Sequence, residues 1–194
     1  MVLHRHYAVA AQFYFDRRLN VPFFFSLLLS IANLGLLFLI VGYRSLARSE
    51  NIFWVALCTA FFLFTLDEAF YIHQHFKMST FGRIASYDRA SWSHYLWVIP
   101  YIALFGSLMF IMIRHASALE KTIRYELTLA ATVFLTGAVG MEAIGTYYAV
   151  LHPKGDIYLL LVKSLEGTLQ MSGAVMFMNA FLKRIQFHYL SSGH

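Results

Sequence analysis

PFFFSLLLSIANLGLLFLIVGY, residues 22–43, runs 22 residues without a charged side chain. An α-helix rises about 1.5 Å per residue, so this stretch matches the ~30 Å hydrocarbon core of a bilayer. Four more apolar stretches follow, at about 52–76, 95–113, 126–150 and 157–182. Together they predict an all-α integral membrane bundle of about five transmembrane helices, a single domain over residues 1–194.

Composition agrees. Of 194 residues, 59% are hydrophobic, 18% aromatic and only 13% charged, with mean hydropathy +0.60. Soluble domains carry about a quarter charged residues, so this balance excludes a disordered chain, a disulfide-stapled secreted module and a nucleic-acid-binding domain. The net charge of +5 comes from basic residues near span ends, including Arg17, Arg18, Arg44, Arg48, Arg114, Lys121, Arg124, Lys183 and Arg184. There they read as anchors for anionic headgroups, and the bilayer is the expected partner. Cys58 is the only cysteine and lies within a span, so no intramolecular disulfide or thiolate metal cluster can form.

Local signals place the span ends. Residues 1–20 lack the apolar core and small-residue site of a cleaved leader, and read as a segment lying in the interface. Pro22 after Asn20 suits a first helical turn, and Ser49-Glu50-Asn51 offers caps ahead of the second span. Pro153, Lys154 and Gly155 make a short turn, so spans four and five form an antiparallel hairpin. Residues 77–94 read as an ordered surface loop or lid, and Trp54, Trp92, Trp97, Tyr95, Tyr101, Tyr147 and Tyr148 as interfacial rings. Lys and Arg number seven on each side, so the flanks give no orientation.

The informative residues are ionisable ones inside the spans, because a charge at mid-membrane costs about 2.5–3.5 kcal/mol even on the mildest scale. Asp67 and Glu68 lie in span two, Glu142 in span four, and Lys163 with Glu166 in span five. Counted from the helix ends, Glu68, Glu142 and Glu166 lie roughly 12–14 Å below the same face, which predicts one polar layer. At 100° per residue, Asp67, Glu68, Tyr71, Gln74 and His75 share one side of span two, whereas His73 turns away unless the helix end is distorted. Lys163, Glu166 and Gln170 make one stripe on span five. Gly137, Gly140 and Gly145 beside Glu142 would let a neighbouring helix come close, and His94 could reach the layer from above.

Carboxylates with imidazole suit iron, manganese or zinc. The Glu-x-x-His pairs of di-iron bundles and HExxH are absent, so the metal reading rests on co-location. The same groups also suit a proton relay, or a network that ties helices together. His4 with His6, or His73 with His75, are the imidazoles that haem or a chlorophyll magnesium would use.

The motifs Asp16-Arg17-Arg18-x-Asn20, Leu66-Asp67-Glu68-x4-His73, Gly140-x-Glu142-x2-Gly145 and Leu165-Glu166-x2-Leu169-x-Met171-x-Gly173 cover most of the chain. Their order resembles an uncharacterised family of small bacterial multipass membrane proteins. The resemblance implies a bacterial inner (cytoplasmic) membrane and places Asp67, Glu68, His73, Glu142 and Glu166 in one constellation. In that pattern acids often stand where this chain has Gln74 and Gln170, so the ligand charge here is lower. Two functional readings follow: a buried carboxylate and histidine site that binds metal or carries protons for redox or enzymatic work, or a non-catalytic subunit of a larger respiratory or photosynthetic membrane complex.

Overall fold

A computed structural model of the chain describes residues 20–42, 46–70, 72, 98–151 and 157–192. Among them every regular element is a helix: α1 (Val21–Val41), α2 (Arg48–Phe70), α3 (Val98–His115), α4 (residues 121–151) and α5 (Ile157–Ser192). A 3₁₀ turn, Ala116–Ala118, separates α3 from α4, and α4 is interrupted by a π-helical turn, Thr136–Met141. The N-terminal interfacial segment and the 77–94 connection expected from the sequence lie outside the described residues.

Each helix starts where local chemistry allows. Asn20 caps α1, its Oδ1 accepting from the Phe23 N–H at 2.8 Å while its carbonyl accepts from Phe24 at 3.1 Å. Pro22 stands between them, where its missing N–H leaves nothing to satisfy. α2 begins at Arg48, earlier than the sequence implied, because Asn51 N–H already donates to Ala47 O at 2.9 Å. Ser49, Glu50 and Asn51 are therefore helical residues of the first turn, not caps before it. There the Glu50 carboxylate meets the positive end of the helix dipole.

Among the described residues three helical stretches are long and apolar enough to cross a membrane: Val21–Val41, Arg48–Phe70 and Lys121–Gly145. The sequence suggested five. Ile102–Ala118 is apolar but shorter, and α5 is long, at 36 residues, but diluted by polar side chains such as Lys163, Glu166, Gln170 and Asn179. α5 also continues to Ser192, ten residues past the end expected for the fifth span.

The chain divides into two compact units. The first comprises Met1–Ala32 and Tyr125–Lys183. In it α4 and α5 approach until backbones touch: a Cβ on Gly173 would stand 2.7 Å from Phe134 N, and one on Gly137 would stand 2.9 Å from both Glu166 O and Gln170 N. Small residues permit this closeness, which between apolar helices is the main source of attraction. Phe134, Phe177 and Phe181 continue the contact, with ring centroids 6.3 and 5.8 Å apart.

The second unit comprises Asn33–Arg124 and Arg184–His194. Here α2 packs along α3, and Phe53, Trp54, Leu57, Phe61 and Thr65 of α2 are buried. Trp54, expected at the interface, is fully buried instead, because Glu50 Oε1 accepts its indole N–H at 3.1 Å from one helical turn away. Ser49 Oγ and His115 Nδ1, hydrogen-bonded at 2.8 Å, join the start of α2 to the end of α3.

Candidate functional site

The site stands within the first unit, on facing turns of α4 and α5. Lys163 Nζ donates to Glu142 Oε2 at 2.5 Å and to Glu166 Oε2 at 2.9 Å. Lys163 and Glu166 are three apart on α5, and thus neighbours on one face. Glu142 reaches the same ammonium from the first residue after the π turn. Gln170 extends the stripe, its Nε2 donating to Glu166 Oε1 at a long 3.4 Å.

The π turn has a direct effect on this geometry. A π turn holds one residue more than an α turn, so everything after it is rotated by about 100° from where an unbroken α-helix would carry it. Thr136-Gly-Ala-Val-Gly-Met141 accommodates the extra residue because Gly137 and Gly140 bring no side chains into the widened turn. Thr136 Oγ1 donates to Thr132 O at 2.8 Å just ahead of it. Ideal-helix counting could not foresee this rotation, although paired glycines in mid-span were a signal for it. Of the three glycines expected to admit a neighbour, Gly137 and Gly145 do face α5. Gly140 does not, since a Cβ there would meet only Thr136 Cγ2 at 4.0 Å.

The layer is less buried than the sequence implied. The side chains of Lys163, Glu142 and Glu166 remain 24%, 29% and 16% exposed, so none is fully enclosed by protein. They lie where α4 and α5 meet. Asp67 and Glu68 are half-buried on α2, in the second unit. Tyr71, His73, Gln74, His75 and His94, the remaining predicted members, lie outside the described residues. Of the predicted set the structure thus brings together Glu142, Lys163, Glu166 and Gln170.

Among the described residues no three or more His, Cys, Asp and Glu side chains are placed to hold a metal ion. Between Glu142 and Glu166 the cation is already the lysine ammonium.

Sequence reading missed three polar features. Ser30 and Asn33, on the apolar α1, are 3% and 0% exposed, and their only signal was polarity three residues apart in an otherwise aliphatic run. In the second unit, Arg184 of α5 binds Glu50 in the first turn of α2 through Nη2 at 2.7 Å and Nε at 3.0 Å. Lys183 pairs with Glu126. Both cations, read from the sequence as headgroup anchors, are engaged by carboxylates of their own chain.

The model of the domain of unknown function DUF8692 matches residues 3–185. Neither a curated protein nor a solved structure matches the chain.

Proposed function

The chain belongs to the DUF8692 family, and we propose that it is a multipass membrane protein whose Glu142–Lys163–Glu166 trio holds and passes a proton. The observation that carries this reading is the double hydrogen bond of one ammonium to two carboxylates. With all three groups ionised the trio bears one net negative charge, which a hydrocarbon environment penalises. One added proton, shared between carboxyl groups that meet at the same nitrogen, makes the trio neutral without moving a helix. Such a site loads and unloads with little reorganisation, as proton-carrying carboxylates in membranes do.

The bilayer is the partner this reading requires, supported by outward-facing Phe24, Phe25, Leu28, Ile31, Phe38 and Leu39 on α1. A bacterial inner membrane is the location that the motif resemblance supports. The same outward face supports a second reading, a helix-tying subunit of a larger membrane complex, in which the trio only holds α4 against α5.

Infrared difference spectroscopy between mildly acidic and mildly alkaline solution separates the two. A proton carrier gives a carboxyl C=O band that disappears in Glu142→Gln or Glu166→Gln while the protein remains folded. A helix-tying network gives no titrating band. Element-resolved metal content on the same samples tests the metal alternative, since near-stoichiometric iron, manganese or zinc lost in Glu142→Gln would replace both readings.

A further inference from the structure

Resting on the proton reading above, we infer that the trio exchanges its proton with one membrane face only, the face at which α4 runs into α5, and that Tyr148 and Tyr158 form the passage. The basis is an asymmetry along the helix hairpin, all within the first unit.

On the side of the trio away from that end, the two helices are sealed. Gly137 lies five residues before Glu142, and a Cβ there would collide with backbone N and O atoms of Gln170 and Glu166 at 2.9 Å. Seven residues beyond Glu166, Gly173 would collide with the backbone of Phe134 at 2.7 Å. The rings of Phe134, Phe177 and Phe181 close the next layer with apolar surface. Neither backbone contact nor stacked phenylalanine offers a group that accepts and releases a proton.

On the other side the contact is made by side chains. The three atoms nearest a Cβ on Gly145 would be Val162 Cγ1 at 3.3 Å, Lys163 Cε at 3.5 Å and Lys163 Nζ at 3.8 Å, all of side chains. One turn further, Tyr148 of α4 and Tyr158 of α5 close on each other, ring centroids 4.4 Å apart and tilted by 45°. Side chains on a helix lean toward its N-terminus, so Lys163 and Glu166 lean toward this tyrosine pair. A phenol both donates and accepts, so it can give its proton toward the trio and take a replacement from water, ending unchanged. The net transfer is one proton from water at that face to a carboxylate of the trio. The remaining titratable and charged groups described in this unit are Tyr125, Glu126 and Lys183, beyond the phenylalanine layer, and the exposed Tyr147.

The test uses the full chain in anionic-lipid vesicles, inserted in one orientation, with the carboxyl C=O band followed after a rapid pH jump on one side. Acidifying the face where α4 joins α5 is expected to raise the band within the mixing time. Acidifying the opposite face is expected to act only as fast as protons leak across the vesicle. Tyr148→Phe with Tyr158→Phe is expected to slow the response at least tenfold and to leave the final amplitude and band position unchanged, which a merely structural pair would alter. Equal responses from both faces, or a wild-type rate in the double variant, would overturn the inference. A wild-type band that never titrates on either side would instead remove the proton reading itself, and this inference with it.

Discussion

Lys163 Nζ on α5 stands 2.5 Å from Glu142 Oε2 on α4, across a sequence separation of 21 residues. That contact ties α4 to α5 with a charge-assisted hydrogen bond. Its strength should lie between that of an exposed pair and that of a fully enclosed one, because both side chains are about a quarter exposed.

Lys163→Met removes the ammonium and leaves two carboxyl groups without their cation. Near neutral pH it should destabilise the protein by about 1–3 kcal/mol, the interval between exposed and buried pairs. The penalty should shrink in acid, where protonated carboxyls no longer need the cation. Reversible denaturant unfolding in detergent micelles at several pH values measures it, and a penalty that grows in acid would contradict the pairing.

The glycine contacts predict a graded response. Gly173→Ala and Gly137→Ala force backbones apart and should each cost about 1–3 kcal/mol, as overpacking does. Gly106→Ala, on α3 with nothing within 4 Å of the added carbon, should be neutral or stabilise by up to about 1 kcal/mol through helix propensity. Thermal unfolding of the three variants side by side checks the order. A Gly173→Ala protein as stable as wild type would mean the hairpin is looser than drawn.

The π turn predicts that α4 tolerates loss of one residue but not gain. Deleting the exposed Val139 turns the widened turn into an ordinary one and leaves Glu142 opposite Lys163. Inserting an alanine at the same place rotates Glu142 away by about a further 100°. Lys163→Met should therefore cost as much in the deletion background as in the wild type, and clearly less in the insertion background, where only the bond to Glu166 on the same helix remains to be lost. A double-mutant cycle reads this difference directly.

In the second unit, Glu50 serves both Arg184 and the Trp54 indole. Glu50→Gln retains an acceptor for the indole but leaves Arg184 without its counter-charge, and should cost about 1–3 kcal/mol. Ser49→Ala removes one bond to His115 and should cost only about 0.5–1.5 kcal/mol. Tryptophan fluorescence during unfolding reports both, and the reverse order would assign the larger role to the Ser49–His115 link.

The helical class and the start of α1 were legible in the residues alone, because a long uncharged run and an Asn-x-Pro start are local facts. So was the stripe Lys163, Glu166 and Gln170, since three residues on one helix obey a fixed period. The partner of that stripe was legible as a residue type at the right depth, which is how Glu142 came to be expected there. Its bond to Lys163 depended on a π turn that shifts the helical phase, and no period-based count carries across such a turn. The roles of Arg184 and Lys183 were likewise decided by tertiary structure. A cation at a span end looks the same in sequence whether it meets a headgroup or a carboxylate far along the chain, and only folding sets that distance. Local chemistry thus determined which segments are helices and which residues are polar within them, and the packing of one helix on another decided which of those polar groups meet.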